Sequence, residues 1–180
     1  MKITRVEPIF LDKFLLVEIE TDEGIIGLGE SGSWGFLEAS GAAIEKFGRY
    51  LIGKDPLLIE HHWQYMYRFS HFRGAAIMGA LSAVDIALWD IAGKLFNAPL
   101  YRMLGGTRKP LPAYARTLHG DENGGLGNPQ QFANFAQQCK EMGYRAFKIH
   151  GWGDGPISRE IANVLGVREQ VGSDMALMID

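Results

Sequence analysis

The sequence predicts a two-part fold. An α+β unit built on a small antiparallel sheet is followed by strand and helix units in βαβαβ order, the grammar of a parallel sheet or a barrel. Two observations predict it. Residues 3 to 28 hold apolar strand-type segments joined by tight turns, with three helical segments after them; beyond Gly105-Gly106 the chain alternates short apolar runs with helix-length stretches. The boundary falls near Pro110, giving units 1–110 and 111–180.

The first unit opens with a strand near Ile3 to Phe10, then Phe14 to Glu20, the turn Asp22-Glu23-Gly24, and Ile25 to Leu28. Gly24 supplies the left-handed position that such a hairpin needs. A helix is expected from about Leu37 to Leu51, stopped at Gly53, and a second opening on Asp55-Pro56, an N-cap followed by proline in the first turn. In the third, Ile77, Leu81, Val84, Leu88, Ile91 and Leu95 recur at alternating four- and three-residue steps, giving one apolar stripe. Ala80, Ala83 and Ala87 would allow another helix to approach it closely, and Asn97 and Pro99 end it. In the second unit, Leu111 to Thr117, Ala146 to His150 and Met175 to Asp180 read as strands, and Pro129 to Met142 and Ile157 to Gln170 as helices. The glycine-rich stretch His119 to Gly127 reads as a mobile loop.

Composition bounds the function. With 47% hydrophobic and 22% charged residues this is an ordinary globular composition. A net charge of −3, with no basic stripe, argues against nucleic acid as a partner. Charged residues recur from the start, Met1-Lys2-Ile3-Thr4-Arg5, so no signal peptide or membrane-spanning segment is expected; no membrane partner and a cytoplasmic location follow. The single Cys139 forms no intramolecular disulfide and, in register with Phe132, Phe135, Ala136 and Met142, reads as a core residue.

Two of the later strands end in ionisable groups. The period of two in a strand puts Lys148 and His150 on one face and Ile149 on the other. About one strand-helix-strand repeat later, the apolar run Ala176 to Ile179 closes on Asp180. Parallel strands joined in this way present their C-terminal ends on one side of the sheet, where α/β enzymes carry their chemistry. Two readings of each group stand at this point: Lys148 and His150 form a functional pair or simply reach solvent at a strand end, and Asp180 is a site residue or a helix cap. One carboxylate does not hold Mg²⁺ or Ca²⁺ alone. Other features are expected to be structural. Gly151-Trp152-Gly153-Asp154-Gly155 lacks the endings of a phosphate-binding loop; His61 and His62 lack zinc-ligand spacing and are expected at a surface or interface; Asp85 and Asp90 flank the apolar stripe and are expected to make structural hydrogen bonds.

Several stretches together resemble a known family. The helix Gly79 to Lys94, with Ala83-Val84-Asp85-Ile86-Ala87-Leu88-Trp89-Asp90-Ile91 at its centre, then Ala98-Pro99-Leu100-Tyr101 and Leu104-Gly105-Gly106, resembles the N-terminal signature of the mandelate racemase and muconate lactonizing enzyme branch of the enolase superfamily. Met1 to Thr4, Thr21 to Gly24, Gly27 to Glu30 and Leu51 to Pro56 fit the same capping domain. The resemblance implies an α+β capping domain followed by the first βα units of a (β/α)₈ TIM-type barrel. It also implies Mg²⁺ as cofactor and abstraction of a proton α to a substrate carboxylate, with the metal stabilising the enediolate.

Carried over residue by residue, Asp180 matches the first metal ligand and Lys148 the first lysine of the family's Lys-x-Lys element. His150 stands where the second lysine would be, a departure that leaves base, proton donor to a leaving hydroxyl and substrate contact all open. Lys148 could polarise the carboxylate and lower its neighbour's pKa by charge repulsion. Within the cap, the Phe10 to Phe14 connection, the Ser31 to Trp34 segment, His71 and Arg73 resemble parts that close over substrate, which makes Trp34, His71 and Arg73 candidate substrate-binding residues.

The expected parent activity is an acid-sugar dehydratase acting on a small carboxylate substrate, a sugar acid, as a homo-oligomer; racemases, epimerases and cycloisomerases share every feature above. A full barrel of this type needs about 250 residues, whereas residues 111–180 supply three strands. The chain is therefore expected to be a fragment or truncated version, itself inactive. A non-catalytic interaction module built on the cap is the alternative.

Overall fold

In a computed structural model, residues 1–32, 35–69, 71–117, 126–151 and 156–180 are described. The chain divides into two compact units, Met1–Arg108 and Lys109–Asp180.

In the first unit, strands β1 (Ile3–Leu11), β2 (Phe14–Thr21) and β3 (Ile26–Ser31) form an antiparallel sheet in the order β1-β2-β3. Strand β2 shows the alternation directly: Leu15, Val17, Ile19 and Thr21 are buried, and the residues between them are not. The β2–β3 turn closes on Thr21, whose hydroxyl donates to the Ile25 carbonyl (2.9 Å) and accepts from the Ile25 N–H (3.0 Å). Gly24 takes φ of 78° there. Strand β3 runs three residues beyond the expected end at Leu28 because its inward positions are not apolar. Gly27 and Gly29 face helix α3 (Ala75–Leu95), and a Cβ on either would overlap the carbonyl oxygens of Ala87 and Ala83.

Helix α3 is the axis of the first core. Ala80, Leu81, Ala83, Val84, Ala87, Leu88 and Ile91 are all buried, together with Leu15, Val17 and Ile19 of the sheet and Ile44, Phe47 and Leu51 of α1 (Leu37–Leu51). By length and composition α3 is apolar enough to cross a membrane, with a mean hydropathy of 1.6 over its best window, contrary to the expectation that no such segment exists. Its apolar face is the one occupied by the sheet and α1, which accounts for the composition. Side chains of α3 also cover the free edge of β3. Asp90 Oδ2 accepts from the Leu28 N–H (2.9 Å) and from Lys94 Nζ (2.7 Å), and Lys94 Nζ donates to the Ile26 carbonyl (2.6 Å). An edge strand whose outward N–H and C=O groups are engaged this way is no template for another chain.

Helix α2 (Ile59–Arg68) starts later than expected. Asp55-Pro56 builds a turn, with the Asp55 carboxylate accepting from Leu57 N–H (2.9 Å) and its carbonyl from Leu58 N–H (3.3 Å), and the helix follows. His62 corrects the surface expectation: it is 1% exposed, while His61 is exposed. Its Nε2 donates to the Asp55 carbonyl (2.8 Å) and its Nδ1 accepts from the Tyr50 hydroxyl (2.9 Å). Two partners for two ring nitrogens make this a satisfied buried histidine. Asn97, at φ of 47°, ends α3, and a short helix α4 (Leu100–Met103) follows.

In the second unit, β4 (Ala115–Arg116), β5 (Ala146–Ile149) and β6 (Ala176–Ile179) form a parallel sheet in that order, with α5 (Pro129–Glu141) and α6 (Ile157–Val171) between them in sequence. Strand β4 is far shorter than the expected Leu111–Thr117. Pro110 and Pro112 lack the N–H that a ladder needs, and Leu111 is exposed. Asn128 caps α5 by accepting from Gln131 N–H (3.0 Å), with Pro129 in the first turn. Phe147 and Ile149 from β5 meet Phe132, Ala136 and Cys139 of α5 and Val167 and Val171 of α6 in a second core. Cys139 is a buried free thiol. Most of the glycine-rich stretch 119–127, and residues 152–155 after Gly151, lie outside the described residues.

Candidate active site at the strand ends of the second unit

Parity within β5 sorts its side chains. Phe147 and Ile149 point into the helix-covered core, so Lys148 and His150 point to the opposite face. The parallel register continues that face across the sheet. Lys148 pairs with Arg116 of β4 and with Met178 of β6, and Asp180 lies two residues beyond Met178. The ladder runs past the formal strand ends, with Asp180 N–H donating to the Ile149 carbonyl (3.2 Å).

Three of the expected residues meet here. Lys148 Nζ is 3.0 Å from Asp180 Oδ1, and His150 Nε2 is 3.8 Å from Asp180 Oδ2. The Lys148 and His150 side chains are three-quarters buried, that of Asp180 half exposed. The hydrogen bond and charge of Lys148 hold the Asp180 carboxyl below the usual carboxylate range, with His150 and Arg116 adding in the same direction. The carboxylate is therefore ionised at neutral pH and faces a set of groups of opposite or potentially opposite charge.

Two residues that the sequence reading passed over take part. Thr117 is 3% exposed and stands in for a ladder partner. Its hydroxyl accepts from the His150 N–H (2.8 Å) and donates to the His150 carbonyl (3.1 Å), while its own N–H donates to the Lys148 carbonyl (3.2 Å). It thus fixes the backbone that aims both side chains. Arg116, exposed on the same face as Lys148, is the other. The signal for both was positional: adjacent residues at the C-terminal end of a segment already read as the first strand of the unit.

The remaining described candidates belong to the first unit. His71 and Arg73 lie in the connection before α3, and both are exposed. Arg73 Nη1 donates to the Tyr67 carbonyl (2.6 Å), and its guanidinium lies 4.1 Å from the Tyr67 ring centre. Trp34 lies outside the described residues. At the β1–β2 turn, Phe10, Leu11 and Phe14 are all exposed.

The donor set can be tested against the implied Mg²⁺. That ion takes near-octahedral oxygen coordination, and Asp180 supplies one carboxylate, already paired with Lys148. Among the described residues no group of three or more His, Cys, Asp or Glu side chains comes together. These residues alone do not fit a magnesium site.

Comparison with known proteins follows the same division. Residues 5–105 match the model of the mandelate racemase/muconate lactonizing enzyme N-terminal domain. The whole chain aligns with 48% of a D-galactonate dehydratase from Cronobacter sakazakii at 34% identity. The structure superposes, over 99% of this chain and 54% of the other, on a member of the enolase superfamily from Salmonella Typhimurium, with a TM-score of 0.87 and 31% identity. It also superposes on the 3,6-anhydro-D-galactonate cycloisomerase from Zobellia galactanivorans, over all of this chain and 51% of that one, with a TM-score of 0.83 and 33% identity. The chain thus spans about half the length of these relatives, and its two units correspond to an α+β cap and the opening βα units of a barrel. With more than half of its length matched to that domain, the chain belongs to the mandelate racemase and muconate lactonizing enzyme family.

Proposed function

We propose that this chain is the cap and first barrel strands of an enzyme that removes a proton α to the carboxylate of a sugar acid and expels the β-hydroxyl as water. The observation that carries the reading is the convergence of Lys148, His150 and Asp180 on the strand-end face away from the helices. In it, Lys148 pairs with the substrate carboxylate, whose α-proton becomes abstractable only when the charge developing on that carboxylate meets fixed positive charge. His150 takes the α-proton at Nε2, the C–H electron pair forms the enolate, and the imidazolium returns the proton to the departing β-hydroxyl, which leaves as water. Thr117 holds the strand backbone that keeps the two side chains in place.

The Mg²⁺ expected from family membership requires oxygen ligands beyond the single carboxylate of Asp180, so the 180-residue chain is proposed to bind substrate weakly and not to turn it over. Similarity to a cycloisomerase supports a second reading, in which the same abstraction leads to cyclisation or racemisation of the sugar acid. A cytoplasmic location accompanies either reading. Calorimetric titration of the chain with D-galactonate, with Mg²⁺ present, tests the site. Binding weakened about tenfold or more by Lys148→Ala is expected; no binding, or binding indifferent to that substitution, removes the site. Product formation by the 180-residue chain would remove the claim that it is inactive.

A further inference from the structure

We propose that Arg116 anchors a second anionic terminus of the substrate, so that the acids this face selects are charged at both ends. The inference rests on the reading of Lys148, His150 and Asp180 as the reacting set. Arg116 pairs with Lys148 across the β4–β5 ladder, and residues paired in a parallel sheet share a face. Parity agrees: Ala115 packs against the helix-covered core, so its neighbour points the other way. The order of groups across the sheet is then Arg116 on β4, Lys148 and His150 on β5, and Asp180 after β6.

That order gives the site a direction. Adjacent strands are about 4.8 Å apart, so the outer two are separated by roughly 10 Å, and the long Arg116 side chain can shorten the gap to the reach of a five- or six-carbon acid. With the reacting carboxylate beside Lys148 at the Asp180 end, the chain of the substrate runs toward β4 and its far end meets the guanidinium. The charges point to what that end carries. Lys148 is ion-paired with Asp180, whereas the Arg116 charge acts on Asp180 only at longer range: among the described residues it makes no ion pair, and its Nε donates to the neighbouring Thr117 carbonyl (3.3 Å). A guanidinium stays charged at any relevant pH, and its planar fork matches a carboxylate or a phosphate with two parallel hydrogen bonds. A monoacid would set an uncharged hydroxymethyl group against it.

The test titrates the 180-residue chain, in Mg²⁺, with three acids that differ only at the far end: galactonate, galactarate and galactonate 6-phosphate. At least one doubly charged acid is expected to bind tenfold or more tightly than galactonate, and the preferred one tells carboxylate from phosphate. Arg116→Ala is expected to abolish that advantage, weakening the doubly charged acids tenfold or more beyond any change for galactonate, while Lys148→Ala weakens all three. Equal binding of the three acids by the unaltered chain, absence of binding by both doubly charged acids, or equal weakening of all three by Arg116→Ala overturns the inference. The ligand comparison on the unaltered chain stands even if a variant misfolds. Galactonate binding that depends on Lys148, with no advantage for a charged far end, overturns the role of Arg116 and leaves the reacting set standing. An advantage that Arg116→Ala removes and Lys148→Ala does not touch supports the anchor and removes the reacting set.

Discussion

Asp180 accepts from Lys148 on a strand-end face, and its ionisation is set by that neighbour more than by any other group. Removing the ammonium while keeping the aliphatic stem, Lys148→Met, is therefore expected to move the Asp180 titration midpoint up toward the ordinary carboxylate value, followed by NMR of the side-chain carboxyl carbon; an unchanged midpoint would mean that the ion pair does not persist in solution. His62 makes the opposite kind of statement, because burial pushes its pKa down. Its folded form binds a proton less readily than its unfolded form, so its contribution to stability is complete above the unfolded value of about 6.5 and is lost as pH falls from there through the folded pKa. Denaturant midpoints are expected to drop between pH 7.5 and pH 5, with a smaller drop in His62→Phe. Tyr50→Phe, which removes the donor to Nδ1, should cost about 1 kcal/mol at pH 7.5. That His62 is a core residue was not legible in sequence, since a histidine pair on a helix gives its angular separation but not which of the two faces inward.

Helix α3 and strand β3 are a matched pair. The apolar stripe of α3 was readable from its spacing, but the small residues Ala80, Ala83 and Ala87, expected to admit another helix, instead admit a strand at Ala83 and Ala87. The alternate glycines of β3 hide that buried strand face from any search for alternating apolar residues. Gly29→Ala would press a methyl group onto the Ala83 carbonyl and is expected to cost about 1–3 kcal/mol or more, the range for overpacking a tight core. Gly32→Ala, at a glycine with open space around it, should cost well under that. Equal thermal shifts in the two variants would contradict the close packing. Asp90 belongs to the same pair: its side chain serves the edge of β3, so Asp90→Ala should weaken protection of the Leu28 amide in hydrogen exchange.

On the scale of the molecule, the α+β and βαβαβ order of elements was legible in periodicity, and strand parity put Lys148 and His150 on one face; that Asp180 belongs with them as a site came from the family resemblance. The length of β4 and the parts played by Arg116 and Thr117 were not legible, because prolines cut that strand short and its pairing partner lies thirty-odd residues away. The second unit also carries an apolar surface that its own core does not use. Ile157, Ile161 and Leu165 recur every four residues along α6 and are 78%, 54% and 63% exposed, while Phe132, Ala136, Val167 and Val171 fill the interior. Ile179 of the edge strand β6 is 58% exposed as well. Exposed apolar patches of contiguous side chains drive association. With a net charge of only −3 there is little repulsion to oppose it. The 180-residue chain is expected to self-associate reversibly at micromolar concentrations, seen as a concentration-dependent sedimentation coefficient, and Ile161→Glu combined with Leu165→Lys should shift it toward monomer without lowering helical content. If the double variant associates as strongly as the unaltered chain, the contact lies on another surface, such as the β6 edge, and substitution of Ile179 by lysine becomes the change that should disperse it.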